Sequence, residues 1–324
     1  MLAHGASAGA VEDAIQSRTQ RLAAGEPLTI GSDAIAAVTV LPDLYERRSF
    51  RPAWNPARIN GLVAAVEDAR LDGLDPADYH LDELRRLHDV TRGAGADVGD
   101  AADLDLLATD ALVRLAAHLY LGKVDPEKLD SHWNFPRTLD REEAVGVLVS
   151  ALDAGQTTQL LDRLRPHQLV YRSMRRQLAV HLEAQSHGGW PRVPEGPAIR
   201  PGMRDDRVPA LRARLLASGD HPGTRAAAQH ALRPDTSRGF DPDLEQAVRS
   251  FQRRHLLPED GALGPATLEA LNVPLERRIQ QLRVNLERGR WILHHLPERF
   301  IVVNVAAYQT YLVAGSQAEW TTRC

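Results

Sequence analysis

The sequence predicts a mainly α protein, with two helical domains, a connecting helix and a short C-terminal β-hairpin. Three observations carry that reading. Apolar residues recur at helical spacing over most of the chain, as in Leu104, Leu107, Ala111, Leu112, Leu115 and Leu119. Glycine and proline concentrate in H-G-G-W-P-R-V-P-E-G-P-A-I-R-P-G (residues 187–202), a composition typical of a link between domains. Only the last stretch, F-I-V-V-N-V followed by the alternating Y-Q-T-Y-L-V, reads as strand.

An amphipathic helix from Val11 to Leu22 gives way to an extended P-L-T-I-G-S-D. Leu41, Leu44 and Tyr45 then share a helical face, and Pro52 and Pro56 stop and restart the chain. Asn55 is placed to cap the next helix, with Pro56 in its first turn; Ile59, Leu62, Val63 and Val66 point inward, and the end falls near Asp72-Gly73. A further helix starts near Pro76. R-G-A-G-A-D-V-G-D-A-A-D (residues 92–103) reads as a loop before the long apolar helix, which ends at Gly122. Helices are expected again over Glu142 to Leu152, Thr158 to Leu164 and Tyr171 to Ala184.

Beyond the link, Val208, Leu211 and Leu215 mark one helix. Leu244, Ala247, Val248 and Phe251 mark a second, with Asp241 as cap and Pro242 in its first turn. A third opens at Gly264-Pro265, whereas His221 to Arg238 shows no period. From Leu275 to Leu296, the residues Ile279, Leu282, Leu286, Leu293 and Leu296 keep a heptad-like frame with Gly289 at one seam position, as a packed connecting helix would. A turn, A-G-S-Q, then leads into A-E-W-T-T-R-C; a hairpin standing alone is marginal in water.

Composition narrows the function. The net charge is -4 with 25% charged residues, so no long-range field draws the chain to nucleic acid or to an anionic membrane. No run of about 18 apolar residues offers a membrane span. A single cysteine, Cys324, excludes an intrachain disulfide, and no C-x-x-C pair or backed histidine spacing suggests a metal; no cofactor is expected. The adjacent carboxylates Glu67-Asp68, Asp82-Glu83 and Glu142-Glu143 diverge on a helix, which argues against a glycosidase pair. His294-His295 reads as a solvated helix end. Trp54, Trp133 and Trp190, each near a proline, read as plugs of helical cores before sugar platforms.

Three stretches together resemble the large murein L,D-transpeptidases of Gram-negative bacteria. Y-E-R-R-S-F-R-P-A-W (45–54), D-G-L-D-P-A-D-Y-H-L (72–81), L-Y-L-G-K-V-D-P (119–126) and H-W-N-F-P (132–136) are similar to their helical scaffold domain. A-V-x-x-F-Q (247–252) and D-G-x-x-G-P-x-T (260–267), at their usual separation, resemble a three-helix peptidoglycan-binding module. R-I-Q-Q-L-R-V-N-L-E-R-G-R-W (278–291) and R-F-I-V-V-N-V-A-A-Y-Q-T-Y-L-V (299–313) look like the connecting helix and first strands of the catalytic domain.

The resemblance implies a scaffold domain over 1–194, a linker over 195–203, a peptidoglycan-binding-like domain over 204–272, a connecting helix over 273–298 and an incomplete catalytic domain over 299–324. It implies a role in peptidoglycan cross-linking in the periplasm, with the secretory signal outside this chain and peptidoglycan as partner. Gln252, Asp260 and Thr267 become candidates for contact with glycan or stem peptide, although Asp260-Gly261 is also a turn signal by itself. The family's thiolate lies in S-x-G-C-x-R with H-G-T upstream, and neither string occurs here. Cys324 is therefore expected to be an ordinary strand residue, no catalytic residue is assigned, and the exposed strands are expected to promote self-association. The alternative is a non-catalytic peptidoglycan-binding or scaffolding protein.

Overall fold

The computed structural model describes residues 8–93, 97–135, 139–219, 238–305, 308–315 and 317–323. The chain divides into two compact units. One runs to Arg176 and takes up Arg283–Phe300; the other holds Gln177–Leu282; the strands at the end are apportioned between them.

The first unit contains α1 (Ala8–Ala23), α2 (Val40–Arg47), α3 (Pro56–Asp68), α4 (Leu81–Arg92), α5 (Val98–Leu121), α6 (Arg141–Ala154) and α7 (Thr157–Arg163). Helix α5 is its axis, with α1, α2, α3, α4 and α7 packed around it. Such a position demands an apolar surface nearly all round, and Leu106, Leu107, Ala111, Leu112, Leu115 and Leu119 are all fully buried. The start of α3 follows its expected chemistry: Asn55 accepts from the Arg58 N–H at 3.0 Å, with Pro56 in the first turn. At its far end a 3-10 turn, Ala69–Asp72, closes on Gly73 at φ 78°. A Cβ there would also stand 3.0 Å from the Arg283 backbone, so glycine satisfies both the turn and the approach of α12 (Leu275–Ile292).

Three local expectations are corrected. The extended link is a small ladder, β1 (Thr29–Ile30) with β2 (Asp33–Ala34). Half of the expected loop over 92–103 is helix, because Asp97 and Asp100 form a reciprocal capping box that starts α5 at Val98. The helix expected from Pro76 is broken: Pro76–Tyr79 is a 3-10 turn, and His80 takes φ 60° before α4 begins.

Helix α8 (Leu169–Ser186) passes from the first unit into the second, which also holds α9 (Val208–Ala217), α10 (Pro242–Arg254) and α11 (Pro265–Leu271). Asp241 caps α10 by accepting from the Leu244 N–H at 2.8 Å. Leu211, Leu215, Leu244, Ala247, Val248 and Phe251 form the core of this unit. Val193 and Ile199, from the glycine- and proline-rich stretch, are fully buried in the same core. Ile199 bridges Leu263, and Arg204 bridges Gly239, so that stretch is part of the fold it precedes.

The connecting helix α12 ends in a 3-10 turn, Leu293–His295. Ile279, Leu286 and Leu293 are buried as the heptad frame requires. A Cβ on Gly289 would come 3.1 Å from the Tyr171 ring, which accounts for glycine at the seam. His294 corrects the reading of a solvated end: it is half-buried, its ring lies 4.9 Å from that of Tyr120, and burial lowers its pKa. The C-terminal element is a three-stranded antiparallel sheet, one strand more than a hairpin, in the order β3 (Arg299–Asn304), β4 (Gln309–Ala314), β5 (Gln317–Arg323). Ile301 and Val303 of β3 are exposed, at 66% and 57%, whereas β4 is half-buried. Residues 220–237, which take in nearly all of the aperiodic span from His221 to Arg238, lie outside the described residues, as do the opening seven residues and Cys324.

Candidate functional site

The structure brings Gln252, Asp260 and Thr267 together. Gln252 leaves the last turn of α10 and is 1% exposed. Its Nε2 donates to Asp260 Oδ1 at 2.7 Å, to Thr267 Oγ1 at 3.1 Å and to the Ala262 carbonyl at 3.1 Å. Its Oε1 accepts from the Gly261 N–H at 2.9 Å. Asp260 Oδ1 also accepts from the Ala262 N–H at 2.9 Å; that bond and the one from Gln252 hold the carboxyl below its usual range. Gly261 sits at φ 73°, and a Cβ there would meet Glu245 and Arg249 at about 3 Å.

The motif residues thus form a clasp that fixes residues 260–267 against α10. Gln252 and Thr267 are buried within it, and Asp260 alone of the three is exposed. The Asp260 carboxylate stands at the surface, while the other two set the loop's shape.

The scaffold motifs resolve into three buried polar networks in the first unit. Tyr45 donates to Asp105 Oδ1 at 2.6 Å, and the Ala53 and Trp54 N–H groups donate to Asp105 Oδ2 at 2.9 and 3.0 Å. Trp54 Nε1 donates to Thr109 at 2.9 Å, so the Y-E-R-R-S-F-R-P-A-W stretch is laced onto α5. Burial pushes the Asp105 carboxyl up to about 6, against the pull of those donors. One helical turn and a half further on, Asp110 accepts from the Ala36 and Ala37 N–H groups at 3.0 and 2.7 Å and meets His80 Nε2 at 2.7 Å. His80 Nδ1 meets Asp33 at 3.0 Å, which explains why this residue holds a left-handed backbone. The third network gathers Arg165, Arg175 and Tyr171 on the fully buried Asp72 carboxylate, at 2.9, 2.9 and 3.0 Å.

Sequence reasoning missed Asp105, Thr109 and Asp110. The signal was present, since polar residues in the middle of a helix that is otherwise apolar must have buried partners. Two of the candidate tryptophans are accounted for by packing: Trp133 lies edge-on to Trp291 at 5.7 Å and Trp54 packs on the first core. An apolar cavity of about 540 Å³ opens between α5, α6 and α7, lined by Val113, Ala117, Val145, Leu148, Leu160 and Leu164. Among the described residues no group of three metal-ligating side chains converges, and no helix is long and apolar enough to cross a membrane.

Comparison with known families finds two matches along the chain. Residues 39–178 match the scaffold domain family, and residues 204–271 match the family described as a peptidoglycan binding domain. A search of curated proteins found no match. A scaffold domain followed by a peptidoglycan-binding domain fits an L,D-transpeptidase-like architecture, and the second match supports a cell-wall-related role.

Proposed function

We propose that this chain serves peptidoglycan cross-linking in the periplasm as an L,D-transpeptidase-family protein, its described residues supplying binding and positioning. The observation that carries the proposal is the order of the two family matches on one chain, scaffold first and peptidoglycan-binding domain second. The clasp supports the second half of it. Gln252 and Thr267 hold the loop rigid from within, so that exposed Asp260 presents a fixed hydrogen-bonding position to a glycan or stem peptide.

Acyl transfer by the family needs a thiolate, a histidine base and oxyanion donors. The strings S-x-G-C-x-R and H-G-T are absent from this sequence, so the chain is proposed to bind the stem peptide without cleaving it. Incubation with disaccharide tetrapeptide and with a carbapenem tests this by mass spectrometry. The expected result is intact tetrapeptide and unmodified protein. Released D-alanine, a cross-linked product or an adduct on Cys324 would overturn binding without chemistry.

A further inference from the structure

The apolar cavity of the first unit interrupts packing that is otherwise closed. Helix α5 buries Leu106, Leu107, Leu112, Leu115 and Leu119 completely. On one side, however, its small residues Ala116 and Ala117 line a space of about 540 Å³ together with Ala144 of α6. Three methyl groups stand where longer side chains would close the helices on each other, and Val113, Leu148 and Leu160 complete the apolar wall. Protein interiors hold few voids larger than a water molecule, and an engineered apolar cavity of about 150 Å³ suffices to bind benzene. The space here falls within the range of about 300–1,000 Å³ that small-molecule sites occupy. Two further lining residues, Leu139 and Val147, are 47% and 44% exposed, so the apolar surface continues to the mouth.

The charged residues of the lining, Asp140, Arg141 and Glu143, stand at the start of α6. Arg141 is already engaged, donating to the Thr39 carbonyl and to Asp43, both at 2.6 Å. The neighbouring Glu142 takes up Arg47 at 3.7 Å. Asp140 caps the helix by accepting from the Glu143 N–H at 2.9 Å. Both Asp140 and Glu143 are exposed, and among the described residues neither carboxylate meets a cation within ion-pair distance. The N-terminus of a helix offsets about half an elementary charge, so two carboxylates leave this mouth net negative. An apolar interior thus opens through an acidic rim.

We propose that this cavity binds a small amphiphile, an aliphatic chain that ends in a cationic head group. The chain lies among Val113, Leu148 and Leu160, where leaving water drives its burial, and the head pairs with Asp140 and Glu143 at the mouth. A small number of polar groups fixing the orientation of a mostly apolar ligand is the usual division of work in such sites. An anionic head would meet two charges of its own sign, and a wholly apolar ligand would leave both carboxylates without a counter-charge. The site lies in the first unit, apart from the clasp, and goes beyond the cell-wall reading without depending on it.

Isothermal titration of the full chain with n-octylamine and with octanoate, both below their micelle concentrations and at low salt, tests the site. Octylamine is expected to bind saturably at one site, and octanoate at least about tenfold more weakly, because like charges replace an attractive pair. Ala117→Leu and Ala144→Leu fill the cavity from opposite helices. Each should weaken octylamine by at least about tenfold, as the loss of about two buried methylenes requires, with the thermal transition retained. The double variant Asp140→Asn, Glu143→Gln keeps a capping side chain and changes only exposed positions. It should weaken octylamine by about fivefold and leave octanoate bound no more weakly than before. Should either leucine variant fail to fold, the double variant decides the matter alone. Octanoate bound as tightly as octylamine, octylamine binding untouched in a folded leucine variant or in the double variant, or no octylamine binding at all would each overturn the proposal.

Discussion

Arg290 donates to the backbone carbonyl of Asp72 at 2.6 Å, joining residues 218 apart in sequence. The same nitrogen reaches the Tyr171 hydroxyl at 2.9 Å, and Glu287 pairs with the other arm of the guanidinium. Arg290 is 1% exposed, so the connecting helix is fixed to the first unit by a charge that has no access to water.

Removing that charge should be costly. Arg290→Leu leaves the Asp72 carbonyl, the Tyr171 hydroxyl and Glu287 short of a donor, and should destabilise the first unit by about 3–5 kcal/mol. Arg290→Lys should also fall short of wild type, because one ammonium cannot reproduce the planar fork. Urea unfolding followed through the first unit's transition checks both, and a loss below about 1 kcal/mol for the leucine variant would contradict the buried-anchor account.

Asp105 gives the pH dependence a definite sign. Its carboxyl stands at about 6 in the folded protein, above the ordinary 3.8, because burial disfavours the charge. The folded state therefore holds this proton more tightly than the unfolded chain does. The resulting stabilisation is complete below the unfolded value and is lost as pH rises through the folded one. Asp105→Asn has no proton to exchange. Relative to that variant, wild type should lose about 2–3 kcal/mol between about pH 4 and pH 7.5. A gap that stays constant in urea titrations at the two pH values would show that Asp105 keeps an ordinary carboxyl.

Phe251 and Gln252 are neighbours with different work. Phe251 is fully buried in the second core, and its replacement by alanine should cost about 3–5 kcal/mol. Gln252→Ala should cost about 2 kcal/mol or more, because the Gly261 N–H and the Thr267 hydroxyl lose their partner. Thermal unfolding measures both. A neutral Gln252→Ala would mean that water replaces the clasp.

The sheet at the end of the chain should cause self-association. Ile301, Val303, Val305, Tyr308 and Trp320 are more than half exposed, and the outer edges of β3 and β5 carry ladder groups able to pair with another copy. Light scattering should report association of the full chain at tens of micromolar and a monomer for a version ending at Leu296. A monomeric full chain would sink this expectation.

Elements whose pattern is local were legible in the sequence. Asn55 and Asp241 cap α3 and α10 as their side chains dictate, and the stripe from Leu104 to Leu119 gave the central helix. The capping box at Asp97 was hidden inside a glycine-rich stretch whose composition argued for a loop. His80 could not be foreseen as a helix interruption, because its backbone conformation is set by Asp33 and Asp110, the latter 30 residues away. At the candidate site, the motif spacing identified Gln252, Asp260 and Thr267 as a group, and the structure adds that one amide joins all three.

Co-sedimentation of the full chain with purified sacculi tests the central claim most directly. The account predicts that the protein enters the pellet in a saturable way and returns to the supernatant when a muramidase dissolves the sacculi. Protein that stays in the supernatant at every sacculus concentration, with its thermal transition intact, would contradict it.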